Sequence, residues 1–142
     1  MGHARWGMAV ALLLPSAAVA DAQAAPAEQR PVLVFFDWGK PEIGSDAAGT
    51  LDTLAADFRA APTLRLTVSG HSDRSGSAAG NRRSGTQRAA AVAAYLAERG
   101  VPHTAMAIAS FGEEQPLIPT ADGVREPQNR RVEVGLAPIT AP

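Results

Sequence analysis

The sequence contains no cysteine, one lysine and few aromatic residues, and each scarcity excludes a class of site. Without cysteine there is no disulfide, no thiolate metal site and no residue to carry the lipid of a bacterial lipoprotein. Lys40 is the only lysine among 13 basic residues. The rest are arginines, which suit bidentate recognition of carboxylates, although a GC-rich genome gives the same bias. The net charge of −1 gives no reason to expect a nucleic-acid partner.

The N-terminal apolar run is too short to anchor the chain across a bilayer. It covers residues 8–14, follows a basic segment and precedes the small residues 18–20, which is the pattern of a secretory signal peptide. We therefore expect a signal peptide at residues 1–20 and a disordered Ala/Pro/Gln-rich lead at residues 21–30. This pattern predicts a protein exported to the periplasm.

Beyond residue 30 the hydrophobic pattern predicts alternating strands and helices in the order βαβαββ. Strands joined through a helix run parallel with a right-handed crossover, so the first two strands should end at one edge of the sheet. The expected elements are a strand at 32–37, a helix capped by Ser45 and ended by Pro62, a strand at 64–69, a helix from about Asn81 to Arg99, and strands at 106–111 and 131–136.

Charged residues gather at this edge of the predicted sheet. Asp37 and Asp73 follow the ends of the first two strands, where α/β sheets commonly bind ligands. On the second helix Asn81, Ser84 and Arg88 share one face, and Arg88 continues into the apolar stripe. A guanidinium beside free helix amides favours an anion, while Asp73 favours a cation. The two together predict a ligand with both charges, such as a zwitterion.

Metal binding and nucleophilic catalysis are weaker hypotheses. His71 and Asp73 are a poor pair of metal ligands, because His103 lies in a separate loop. The run GHSDR lacks the final glycine of a nucleophile elbow. Arg82 and Arg83, at the start of the second helix, are interpreted as solvated side chains. The sequence thus predicts no metal, no cofactor and no catalytic residue.

Short motifs along the chain resemble the successive motifs of the OmpA-like domain, the C-terminal domain of OmpA and MotB. The resemblance spans residues 31–136 and implies an α+β two-layer sandwich. In this fold two helices cover one face of a mixed four-stranded sheet, and residues 137–142 would be a flexible tail. The motifs are VFFDWGK from Val34, GHSDRSG from Gly70, Asn81, Arg88-Ala89, FGEEQP from Phe111 and NRRVE from Asn129.

The resemblance implies noncovalent binding of peptidoglycan in the cell envelope, through meso-diaminopimelate of the stem peptide, without enzymatic activity. It assigns Asp73 to the ammonium and Arg88 to the carboxylate of diaminopimelate. Asn81, Ser75 and Arg130 complete the implied binding set. For Arg130 the alternation of side chains along a strand gives the same result. Arg130 lies an even number of residues from the inward-facing residues of the fourth strand, so its side chain should face inward.

Four positions near the expected site depart from the family pattern. Members commonly have Asp or Asn where this chain has Gly39, while Gly80, Ser84 and Gly85 replace larger residues. Glycine weakens a helix, so these changes predict a looser second helix and weaker binding. The alternative hypothesis is an envelope protein-interaction or regulatory module whose degenerate pocket no longer binds the wall. A third hypothesis is a small enzyme that hydrolyses wall peptides.

Overall fold

The computed structural model describes residues 30–138, and the expected architecture is confirmed there: two helices cover one face of a four-stranded sheet. The expected signal peptide at 1–20 lies outside the described residues, as do nearly all of the lead at 21–30 and most of the tail at 137–142. The elements are β1 Val32–Phe35, α1 Ser45–Ala60, β2 Leu64–His71, α2 Ala78–Glu98, β3 Met106–Gly112 and β4 Arg131–Pro138.

The strand order is β1-β4-β2-β3, so the last strand of the chain lies between the first two. β4 is antiparallel to both β1 and β2, whereas β2 and β3 are parallel. β1, β2 and β3 therefore run in the same direction, and their carboxyl ends lie at one edge of the sheet. The N-terminus of α2 follows β2 at this same edge.

The core lies between the helices and the sheet. Alternate strand residues face the helices, because side chains of a strand point to opposite faces, and they meet the apolar stripes of α1 and α2. Burial of each large apolar side chain contributes about 1.5–3 kcal/mol. The cluster includes Val34, Leu51, Leu54, Phe58, Leu66, Val68, Val92, Leu96, Val132 and Val134.

Several element boundaries differ from expectation, and β1 ends earlier, at Phe35, while β2 ends later, at His71. α2 begins at Ala78, earlier than the expected Asn81, because the Ser77 side chain accepts a hydrogen bond from the Gly80 amide at 3.0 Å. Ser45 is not the cap of α1. The N-cap there is Gly44, with no side-chain hydrogen bond. β4 continues through Pro138 by pairing with the start of β2.

The glycine at position 85 has the opposite effect to the expected loosening of α2. Gly85 lies directly against Gly70 of β2, and a Cβ on Gly70 would collide with the backbone of Gly85. The two glycines therefore allow the helix and the strand to approach closely. This contact fixes the first turns of α2 at the edge where β2 ends.

Candidate functional site

A pocket of about 230 Å³ opens at this edge of the sheet. Its walls come from the loop after β1, the loop after β2 and the first turns of α2. Four of the five expected site residues line it, and Arg130 contacts it through Asp73. The lining residues are Trp38, Gly39, Ser72, Asp73, Ser75, Gly76, Gly80, Asn81, Ser84 and Arg88.

Asp73 is buried and its carboxylate is saturated by internal hydrogen bonds. One oxygen accepts from the Ser75 amide at 3.2 Å and the Ser75 hydroxyl at 2.6 Å. The other accepts from the Glu126 amide at 3.3 Å and from Arg130 Nη1 at 3.0 Å. Burial raises the pKa of Asp73, but the hydrogen bonds from Ser75 and Arg130 outweigh it and hold the pKa below its usual value. The carboxylate is therefore ionised and fixed.

Arg88 is also buried, with 4% of its surface exposed, but its charge has no counter-ion. Its Nη1 donates to the backbone carbonyl of His71 at 3.0 Å, and its guanidinium lies 5.9 Å from the centre of the Phe36 ring. No carboxylate of residues 30–138 forms an ion pair with it. Burial and the nearby Arg130 lower the pKa of Arg88. A buried cation in this state favours an incoming anion.

Arg130 connects the end of β1 to Asp73. Its Nε donates to the carbonyl of Phe36 at 3.2 Å while its Nη1 holds Asp73. The side chain of Arg130 faces inward, as strand alternation predicts. Arg131, on the opposite face, pairs with Glu133 at 2.6 Å.

The start of α2 is fixed to the loop that follows β3. The Asn81 side-chain amide donates to Glu113 Oε2 at 2.6 Å and to the carbonyl of Gly76 at 3.3 Å. Arg82, expected to be solvated, forms an exposed ion pair with Glu114 at 2.6 Å. These contacts hold the pocket-lining turn of the helix in place.

The pocket rim has an aromatic residue that the sequence analysis did not assign to the site. The Trp38 indole donates to Ser75 Oγ at 3.3 Å, and the Arg125 guanidinium lies 3.9 Å from the centre of its ring. An ion pair between Arg74 and Asp122 ties the loop that carries Arg125 to the loop of Asp73. The signal in the sequence that could have identified this residue was its position, directly after the aspartate that ends the first predicted strand.

Gly39 leaves open space next to Trp38. Its φ is +69°, a conformation that favours glycine, and apart from its chain neighbours no residue has an atom within 4 Å of the position that a Cβ would occupy. No residue distant along the chain therefore blocks a side chain at this position.

His71 lies outside the pocket and is 1% exposed. It stacks on Phe111 with ring centres 5.5 Å apart, and neither ring nitrogen has a hydrogen-bond partner among residues 30–138. Burial and the nearby Arg131 lower the pKa of His71 to about 4, so the ring is neutral near pH 7. The described part of the chain holds no cluster of three or more His, Asp and Glu side chains suited to a metal ion.

None of the helices between residues 30 and 138 is both long and apolar enough to cross a membrane. α2 is the longer of the two, but it contains the arginines at 82, 83 and 88.

Two curated proteins show clear sequence similarity. The peptidoglycan-associated lipoprotein of Rhizobium meliloti is 39% identical over 98 residues, which cover 69% of this chain and 56% of that protein. An outer membrane protein of Gluconacetobacter diazotrophicus is 38% identical over 118 residues, covering 79% of this chain and 31% of that protein. The chain thus spans less than two thirds of either relative.

Solved structures share the fold. The peptidoglycan-associated lipoprotein of Burkholderia pseudomallei superposes with a TM-score of 0.70 at 26% identity, covering 82% of this chain and 98% of that chain. The periplasmic domain of Helicobacter pylori MotB gives a TM-score of 0.63 at 17% identity, with 79% of each chain covered. Residues 35–130 match the OmpA family. From this match, which covers more than half of the chain, the chain belongs to the OmpA family.

Proposed function

We propose that this protein binds peptidoglycan noncovalently in the periplasm, holding meso-diaminopimelate of the stem peptide in the pocket at the edge of the sheet. The observation that carries the proposal is Arg88, a buried guanidinium that lines the pocket and forms no ion pair with residues 30–138. Relatives named peptidoglycan-associated lipoprotein support peptidoglycan as the ligand.

Arg88 would bind the distal carboxylate of diaminopimelate. A charge-assisted hydrogen bond to a guanidinium is stronger than a neutral one, and a dry pocket strengthens it further. The N-terminal turn of α2 lines the same pocket and adds the positive end of the helix dipole. Both features attract an anion to one place.

Asp73 would receive the ammonium of the same diaminopimelate. Its four internal hydrogen bonds leave no free position, so one donor has to move. The Ser75 hydroxyl is the easiest donor to displace, because its hydrogen can rotate away from Asp73 while its oxygen continues to accept from the Trp38 indole, and the residue is half-buried at the pocket wall. The ammonium then takes its place on Oδ1, while Arg130 continues to hold Oδ2.

The proposed function is binding without catalysis. Asp73 is ionised and fully hydrogen bonded, which leaves it no role as a general acid. His71, the histidine nearest in sequence, does not line the pocket. The site supplies complementary charges and no activated nucleophile.

Sedimentation with purified sacculi tests the wall binding, and peptide titration tests the ligand. We expect the protein to sediment with diaminopimelate-type sacculi and a stem peptide to compete. A matched peptide with lysine in place of diaminopimelate keeps the ammonium but lacks the distal carboxylate, so it should bind at least about tenfold more weakly. Equal affinity for both peptides would exclude Arg88 as the carboxylate contact. The alternative, an envelope interaction module with a degenerate pocket, predicts no sedimentation.

A further inference from the structure

A second arginine without a counter-ion lies at the rim of the same pocket. Arg125 is exposed and forms neither an ion pair nor a side-chain hydrogen bond with residues 30–138. Its one close contact among the described interactions is the face of Trp38, at 3.9 Å. Stacking on an aromatic ring leaves the edge of the guanidinium, with its N–H donors, free for another partner.

The stack is held from both sides. Trp38 is anchored by its bond to Ser75, and the loop that carries Arg125 is fixed by the Gly123 amide, which donates to the carbonyl of Arg74 at 2.7 Å. The adjacent Glu126 amide donates to Asp73. Because the cation is positioned before a ligand arrives, little conformational entropy is lost on binding.

We propose that Trp38 and Arg125 form a second anion subsite, which binds the free α-carboxylate of the γ-linked D-glutamate that precedes diaminopimelate in the stem peptide. The inference rests on the proposed function, because it places diaminopimelate at Arg88. Trp38 and Arg88 line one pocket, so a single peptide can contact both. The indole covers the apolar methylenes of that glutamate, while Arg125 binds its carboxylate.

This subsite selects between two chemical forms of the stem peptide. When the glutamate α-carboxylate is amidated, the peptide keeps its shape and its diaminopimelate but loses the charge that Arg125 binds. The protein should therefore prefer the acidic form over the amidated form.

Calorimetric titration of two synthetic tripeptides tests the subsite: L-Ala-γ-D-Glu-meso-diaminopimelate and the same peptide with the glutamate amidated. Because the guanidinium is exposed, we expect the protein to bind the acidic peptide about two- to fivefold more tightly. Arg125→Ala should bind both peptides equally. Arg125→Lys keeps the charge but stacks poorly, so it should retain at most part of the preference. Arg65→Ala, which removes the same charge at the opposite end of β2, should keep the full preference.

Two further measurements separate this subsite from the proposed function. Arg88→Met should weaken the binding of both peptides by the same factor and leave the ratio of their affinities unchanged. In the protein without the expected signal peptide Trp38 is the only tryptophan, so its fluorescence should change more with the acidic peptide than with the amidated one. Equal affinity of the unmodified protein for both peptides, or a preference that survives in Arg125→Ala, would overturn the subsite while leaving diaminopimelate binding intact. Failure of both peptides to bind would overturn the proposed function as well.

Discussion

Asp73 and Arg88 line the same pocket and are almost equally buried, yet the protein treats their charges in opposite ways. The carboxylate accepts four hydrogen bonds, one of them from its ion-pair partner Arg130, whereas the guanidinium donates to one neutral acceptor. Burying an ion without a partner is costly, so the Asp73 side is stable as it stands and the Arg88 side is not. The difference suggests that one charge organises the pocket and the other is kept for the ligand.

Removing Asp73 tests the organising half and should have the largest effect. Asp73→Ala leaves Arg130 buried without its partner, which should lower the free energy of unfolding by about 3–5 kcal/mol. Urea denaturation measures it. Asp122→Ala, which breaks the exposed pair with Arg74, is the matched control and should lose no more than about 1 kcal/mol. A similarly small loss for Asp73→Ala would contradict the organising role.

Lowering the pH should destabilise the fold in two steps. Between pH 6.5 and 4 the unfolded chain protonates His71 while the folded ring stays neutral, so stability should fall by about 3 kcal/mol over that window. Asp73 acts at lower pH: its pKa is depressed in the folded state, so its contribution is present above about pH 4 and is lost as the pH falls through the folded value.

Urea denaturation at several pH values in His71→Leu distinguishes the two steps. The variant should lose the slope between pH 6.5 and 4 and keep the fall below pH 4. A slope that persists unchanged above pH 4 would assign it to another group.

Removing Arg88 tests the half kept for the ligand. Arg88→Met preserves much of the side-chain volume and removes a buried charge that has no counter-ion. We expect affinity for the diaminopimelate peptide to fall by about 1.5–3 kcal/mol, while the free energy of unfolding stays within about 1 kcal/mol of the unmodified protein. Calorimetry and urea denaturation measure the two quantities. A stability loss as large as that of Asp73→Ala would remove the contrast between the two charges.

Filling the space at Gly39 should have the smallest effect. Gly39→Asn adds one hydrogen-bonding side chain at the pocket wall, worth about 0.5–1.5 kcal/mol, or up to about tenfold in affinity. The φ of +69° opposes the change, although asparagine tolerates this conformation better than most residues. Gly39→Ala carries the same backbone strain without the polar group. Peptide titrations in which Asn binds no better than Ala would show that the added amide does not reach the ligand.

The sequence predicted which residues meet at the site better than it predicted what they contact. Hydrophobic periodicity and strand parity depend only on local spacing, so they located the pocket edge and the inward orientation of Arg130. The pairing of Arg130 with Asp73 joins segments that are distant along the chain, and no local pattern encodes it. The same is true of the stack between Trp38 and Arg125.

Two features of the helix α2 differ from what the sequence predicted. The start of α2 was expected at about Asn81, but the Ser77 cap begins the helix at Ala78. Gly85 was interpreted by its propensity alone, whereas its effect depends on Gly70 in the neighbouring strand. Propensity describes a helix in isolation, whereas a local cap decided the start of α2 and packing against the sheet decided the role of Gly85.

The position of β4 between β1 and β2 also has a kinetic consequence. Among the strands of residues 30–138, β4 is the only one that pairs with β1, and it is the last of them along the chain. Two of the donors that hold Asp73, Glu126 and Arg130, come from the segment just before it. Pairing of such distant segments makes folding slow relative to local contacts. A chain in which β4 has not yet paired therefore has an incomplete sheet, and its Asp73 lacks the ion pair with Arg130. The pocket forms in the same late step that completes folding.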